Sequence, residues 1–342
     1  MNDVQIGQGM RETLERQKAA QLAQVSPDWR TRIDRLDRLV ALLKENEKAL
    51  CESLQADFGQ RSIANAALTE IAFPIAGIKY AKKHLRAWMK DEPRKVALLP
   101  RMLGARARLR YQPLGVVGVI TPWNFPVNLT VTPLTDILAA GNRAMVKPSE
   151  FTPRNSALLA ELVARYFSAE EVAVFPGGLE AGAAFSALPF DHLVFTGAGS
   201  VARHVMRAAA ENLVPVTLEL GGKSPVIVSR DLPFDLDRVA TCIVDFKMSN
   251  AGQICLAPDY LLVPEEMLRE LTEALRRAVA RMYPTLLDNP DYTSMINERN
   301  FARVRGYRDA AAASGAGIVE LNPAGEDFSG SAHRKLPPCL VI

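Results

Sequence analysis

The chain has 342 residues, 48% of them hydrophobic, with 41 Lys and Arg against 38 Asp and Glu for a net charge of +3. At roughly 100–200 residues per domain this length implies about two domains, and the apolar content is ample for sizeable cores. Charges so evenly balanced exclude an electrostatic nucleic-acid or membrane partner, and leave a small molecule as the expected ligand.

Cys51, Cys242, Cys255 and Cys339 form no CxxC pair, and His84, His192, His204 and His333 have no metal-ligand spacing. Neither zinc nor a disulfide is therefore expected. The opening MNDVQIGQGMRETLERQ lacks the apolar core of a signal peptide, and no stretch has the roughly 18 consecutive apolar residues that span a bilayer. A cytoplasmic location follows, where thiols stay reduced.

Apolar residues at helical spacing (Ile33, Leu36, Val40, Leu43, Leu50, Leu54) predict an amphipathic helix over 31–58, stopped by Gly59. A second helical stretch over about 65–89 carries Ile71, Ile75, Ile78, Leu85 and Trp88, with Pro74 as a kink or break. Residues 92–110, rich in Pro, Arg and Leu, read as a connector before a strand or hairpin entering Tyr111. Short apolar runs follow at helix-length intervals: VVGVI (116–120), RAMVK (143–147), VAVF (172–175), HLVF (192–195), VTLEL (216–220) and PVIV (225–228). This alternation predicts βαβ units and a parallel sheet. The runs lead into TPWNFP, KPSE, PGG, TGAGS and ELGGKS, the residues of ligand loops at the carboxyl ends of strands. A charged helix is predicted over about 265–281, then the loose NPAGEDFSGSAHRKLPP, and finally CLVI as the start of a buried strand. A chain that stops on such a strand reads as interrupted.

Five of these segments carry chemistry. In TPWNFP, Pro122 and Pro126 restrict the backbone around Asn124, so its amide can be aimed as an oxyanion donor; a loop Asn in an Asx-turn is the plainer reading. Lys147 and Glu150 of KPSE can pair with ribose and phosphate oxygens, although the same four residues make a good turn before a helix. TGAGSVARHVM (196–206) places Gly197, Gly199 and Ala202 as G-x-G-x-x-A between a strand and a helix. Small residues there let helix N-terminal amides approach a pyrophosphate. Glu219 interrupts the apolar run VTLEL; it either faces solvent on an edge strand or, with Gly221 and Gly222 allowing close approach, sits in a partly dry site where its pKa rises toward that of a general base. Cys51, Cys242 and Cys339 read as small buried hydrophobes. Cys255 follows Gly252 and Gln253 in a loop, where backbone amides can lower its pKa and make it a nucleophile.

In this order TPWNFP, KPSE, FTGAGS, LELGGKSP and GQIC resemble the aldehyde dehydrogenase superfamily over about 111–260. The APDY after Cys255 is most similar to the class 3 and fatty-aldehyde branch, and VMRAAAENLVPVTLELGGKSP to bacterial coniferyl aldehyde dehydrogenases. The resemblance implies an α/β fold with a Rossmann-like parallel-sheet NAD-binding domain over 1–219 and an α/β catalytic domain over 220–342. Residues 93–112 would contribute to an oligomerisation hairpin of a homodimer. It also implies Cys255 as nucleophile, Glu219 as general base and Asn124 as oxyanion donor, with Pro122, Trp123, Lys147, Glu150, Thr196 and Gly197 on the cofactor. The cofactor would be NAD, with NADP possible, and the substrate a hydrophobic, aromatic aldehyde such as coniferaldehyde, oxidised to the acid.

Three departures from the family pattern stand out. Ala198 replaces a usual Ser, Ala202 adds a methyl where the family has Gly, and the family continues past the position of Ile342 through an E-x-F-G-P motif that holds the nicotinamide ribose. The catalytic domain is thus expected to be incomplete. That leaves a second reading, a catalytically impaired fragment that binds nucleotide or pairs with a complete subunit. A third, a reductase of acyl phosphates, is opposed by the water-activating Glu219.

Overall fold

The computed structural model describes residues 3–329 and 333–342. The chain divides into two compact units: 1–47, 69–150 and 156–219 form the first, and 48–68, 151–155 and 220–342 the second.

The first unit is built on a five-stranded sheet. A small antiparallel hairpin precedes it, β1 (Glu92–Arg94) and β2 (Ala107–Leu109), enclosing a helical turn over Leu98–Met102. The hairpin therefore begins earlier than the stretch entering Tyr111. The sheet strands are β3 (Val116–Ile120), β4 (Arg143–Lys147), β5 (Val172–Val174), β6 (His192–Gly197) and β7 (Val216–Leu220), in the order β5-β4-β3-β6-β7. β3 pairs in parallel with both β4 and β6, and β4 with β5. β3, β4 and β5 coincide with apolar runs that lie almost wholly inside, because a parallel sheet is covered on both faces, while β6 alternates buried and half-buried residues. β7 at the edge is only half-buried and alternates.

One face of the sheet carries a core of Met10, Leu14, Phe185, Leu188, Phe190, Leu193, Phe195 and Val205. Met10 and Leu14 come from a helix over Asp3–Ala23 that the sequence pattern did not announce. Its buried stripe continues in Gln17 and Gln21, and Gln17 Nε2 donates to the carbonyls of Ala144 and Ala169. The helices Trp29–Glu45, Phe73–Trp88 and Asn128–Ala139 pack against one another; Leu36 and Ile78, which the spacing revealed, are buried, as is Leu134.

The helix expected over 31–58 is in fact two, Trp29–Glu45 and Glu47–Phe58. Asn46 leaves helical geometry at φ −121°, and its side-chain amide donates to Leu42 O, a local bond that competes with the backbone ladder. The stretch over 65–89 divides into Ile63–Ala66, a π-helical turn over Ala67–Ala72 and the helix Phe73–Trp88. Pro74 stands in the first turn of the last, where its missing N–H costs little.

The second unit holds two separate strand pairs. β8 (Ser224–Ile227) and β9 (Pro258–Leu262) are parallel, β10 (Ile318–Glu320) and β11 (Cys339–Val341) antiparallel. PVIV thus belongs to this unit's own sheet rather than to the five-stranded one. The CLVI strand exists, but it is half-buried to exposed rather than buried. Its core joins Val244, Met248, Leu271, Leu275, Val279 and Leu286, drawn largely from the helices Leu236–Met248 and Leu268–Met282. The latter covers most of the charged helix expected over 265–281; a further helix, Glu298–Ala313, is fully absent from the apolar pattern because none of its residues is buried.

Candidate functional site

The parallel register places the first unit's motifs side by side. Ile120 aligns with Lys147 on one side and Phe195 on the other, so the chain leaves the sheet along one edge into Thr121-Pro122-Trp123-Asn124, Pro148-Ser149-Glu150 and Thr196-Gly197-Ala198. From β3 the chain proceeds outward to β4 and β5, then returns to the other side of β3 as β6. Such a reversal opens a crevice at the carboxyl ends of the two central strands. TPWN and TGAG flank that crevice.

Lys147 is almost fully buried at 3% exposure. Its ammonium donates to Pro148 O at 2.6 Å and stands 3.8 Å from a carboxylate oxygen of Glu150, which is exposed. Burial pulls the Lys147 pKa down, and Glu150 partly opposes the shift. An ammonium has three N–H donors; one carbonyl and one long ion pair do not saturate it, and a ribose hydroxyl fits the remainder.

The helix Gly199–Ala210 starts from Ala198, at φ −77° and ψ 139°, which offers no side-chain cap. A Cβ on Gly199 would meet no atom within 4 Å, so the first turn is open on that side. Open amides and the helix dipole suit a phosphate. Gly197 has a different reason for its missing side chain: a Cβ there would come within 2.7 Å of the Phe195 ring. Ala202 is 2% exposed and packs into the core beside Val205.

Asn124 is half-buried in the loop between β3 and the helix Asn128–Ala139, and Trp123 beside it is half-buried as well. Sequence reasoning missed what anchors this loop. Glu70, fully buried in the π-helical turn, accepts hydrogen bonds from the backbone N–H groups of Val127 (3.1 Å) and Asn128 (2.8 Å). A carboxylate at a helix start satisfies orphan amides and complements the dipole. An acidic residue inside an otherwise apolar helical stretch was the available signal.

Glu219 lies near the carboxyl end of β7, the sheet's edge strand. Leu218 packs against the core, and the period of two turns Thr217 and Glu219 to the opposite face. Glu219 is exposed rather than held in a partly dry environment. Gly221 and Gly222 have no positive φ, and a Cβ on either would meet no atom within 4 Å, so no close approach explains them among the described residues.

Cys255, in the second unit, is exposed. Of the thiols expected to be buried only Cys51 is; Cys242 is exposed on its helix and Cys339 half-buried on β11, and all four are free. Three consecutive residues ahead of Cys255 are left-handed: Asn250 (φ 49°), Ala251 (φ 52°) and Gly252 (φ 74°). For a residue with a Cβ this costs roughly 1–2 kcal/mol, so two non-glycine residues here store strain that their surroundings must hold. Among the described residues no cluster of three His, Cys, Asp or Glu could hold a metal ion.

A doubly flanked parallel sheet with buried Lys147 and an uncapped helix start at its carboxyl edge defines a dinucleotide-binding α/β protein. The chain belongs to the aldehyde dehydrogenase family, whose family description matches residues 7–332. It is accordingly an enzyme of the NAD(P)-dependent aldehyde dehydrogenase class. A probable coniferyl aldehyde dehydrogenase of Caulobacter vibrioides is 54% identical over 335 residues, covering 97% of this chain and 68% of that protein. The substrate-bound Staphylococcus aureus AldH structure superposes with a TM-score of 0.88 at 33% identity, covering 96% of this chain and 69% of its own. A Mycobacterium tuberculosis aldehyde dehydrogenase complexed with NAD+ gives 0.78 at 28% identity, covering 91% and 64%. The chain thus spans about two thirds of the length of each relative.

Proposed function

We propose that this protein oxidises a hydrophobic, aromatic aldehyde such as coniferaldehyde to its carboxylic acid, through a thioester on Cys255 and with NAD as oxidant. The observation that carries the reading is the exposed Cys255 thiol directly beyond a strained left-handed turn. The 54% identity to a probable coniferyl aldehyde dehydrogenase supports the substrate class, and the NAD+ complex of the Mycobacterium relative supports the cofactor.

In this reading the Cys255 thiolate adds to the aldehyde carbon, and the carbonyl π electrons move to oxygen. The Asn124 amide and the Cys255 backbone N–H hold that oxyanion. Bound NAD supplies the two-electron oxidation that turns the adduct into a thioester. Glu219 then takes a proton from water, which attacks the thioester carbon, and the carbon–sulfur bond breaks to release the acid and restore the thiolate. Lys147 and Glu150 hold the adenosine ribose, the first turn at Gly199 faces the pyrophosphate, and Pro122, Trp123, Thr196 and Gly197 line the cofactor. A homodimer joined through the hairpin over 93–112 completes the proposal.

Steady-state NADH formation with coniferaldehyde tests it. Cys255→Ala should abolish turnover, and Glu219→Gln should accumulate an acyl-enzyme visible by mass spectrometry. Full turnover by Cys255→Ala would sink the assignment, and NAD binding without turnover by the wild type would favour the impaired-fragment reading.

A further inference from the structure

We propose that Gln253 is a positioning residue: its side-chain amide clamps the left-handed turn over 250–252 to the extended segment 294–296, and so fixes the backbone from which the Cys255 thiol projects. The inference rests on Cys255 being the nucleophile.

Both N–H donors of the amide and its carbonyl oxygen take part in this clamp. Nε2 donates to Asn250 O at 3.0 Å and to Ser294 O at 3.1 Å, while Oε1 accepts from the Ile296 N–H at 3.0 Å. One bond closes the turn on itself, and the other two tie it to a neighbouring segment of backbone. That segment is itself immobilised. Ser294 N–H donates to Gln60 O, Met295 N–H donates to Arg334 O, and the Arg334 guanidinium donates to Met295 O and Phe58 O.

The turn needs such a clamp, because Asn250 and Ala251 hold left-handed angles that residues with a Cβ rarely adopt. Gly252 is similarly constrained: a Cβ there would come within 3.1 Å of Lys247 O, so the turn has little room to relax in place. Without the amide the 250–252 backbone would move toward right-handed geometry, and the orientation of the peptide groups leading to Cys255 would change with it. Amides near a thiolate lower its pKa. Gln253 therefore acts on the chemistry through Cys255, without touching substrate.

The four free thiols make the test internal to one chain. Alkylation by iodoacetamide is followed peptide by peptide by mass spectrometry from pH 6 to 10, in wild type and in Gln253→Met, which keeps the length of the side chain but none of its hydrogen bonds. The expected result is a fall of about tenfold in the Cys255 rate at neutral pH relative to that of Cys242, with a displaced pH profile. Exposed Cys242 should react as before and buried Cys51 should stay protected. Gln253→Glu, closest in shape, serves if the Met variant misfolds, and should act in the same direction because a carboxylate cannot donate to the Asn250 and Ser294 carbonyls. An unchanged Cys255 profile, or a loss of Cys51 protection in parallel with any Cys255 change in both variants, would overturn the proposal. Failure of the nucleophile assignment would show separately, as turnover by Cys255→Ala with the alkylation result intact.

Discussion

Lys147 and Glu150 lie at the end of one strand yet differ in environment: the lysine is buried at 3% exposure, the glutamate exposed at 42%. A carboxylate at this place can accept both hydroxyls of an unmodified ribose and repels a 2′-phosphate. Glu150→Gln should therefore leave the KM for NAD within a few-fold while lowering the KM for NADP about tenfold, read from initial rates with either nucleotide. Equal changes for both would remove Glu150 from the ribose site. In sequence this pair shows only as a cation and a carboxylate three residues apart after an apolar strand, a pattern that also makes a good turn before a helix. Glu70 was not legible, since a glutamate at helical spacing looks like a solvated surface residue until the loop folds over it. Cys242 was misread for the opposite reason: a cysteine among Val239, Ala240, Ile243 and Val244 looks internal, but the helix period turns it outward.

At the scale of elements, the inner strands β3 and β4 could be read because burial on both faces makes their sequence nearly continuously apolar. The helices Asp3–Ala23 and Glu298–Ala313 could not, the first because polar Thr13, Gln17 and Gln21 interrupt its buried stripe and the second because it buries no residue. A loop in the second unit shows a further kind of order invisible to periodicity. Lys335, 1% exposed, donates to the carbonyls of Leu286, Leu287 and Asn289, and Glu326 accepts from the N–H groups of Leu286 and Leu287. Burial lowers the Lys335 pKa from 10.5 to about 8, against the opposing pull of Asp288 and Glu326. Between those values the unfolded chain binds more protons than the fold, so stability rises with pH. Buried Tyr292 keeps its proton above its ordinary 10.0, where the unfolded chain loses it, so its contribution falls as pH rises past that point. Urea unfolding at constant ionic strength should show the stability difference between wild type and Lys335→Met growing from pH 8 to 10. The difference between wild type and Tyr292→Phe should shrink above pH 10. A Lys335→Met difference independent of pH would refute the shift.

For the whole molecule, the single boundary expected at 219/220 coincides with one border of the two units, but the division is more interleaved. The segments 48–68 and 151–155 pack with the second unit although their neighbours in sequence belong to the first, and no local pattern encodes such a crossing. What the sequence does suggest at this scale is self-association. Between β1 and β2 the turn over Leu98–Met102 buries none of its residues, leaving Leu98, Leu99, Met102 and Leu103 between 69% and 81% exposed. Asp91, held by Arg108 and Arg110 with its pKa lowered to about 2, braces the base of the same hairpin. A contiguous apolar tip on a braced arm suits an interface between chains, and in a twofold dimer one such tip would serve both partners. Leu98→Ser combined with Leu103→Ser should convert a dimer to monomer in sedimentation velocity at micromolar concentration, with little change in far-ultraviolet circular dichroism. A wild-type monomer, or a double variant that still sediments as a dimer, would exclude the hairpin as the joining element.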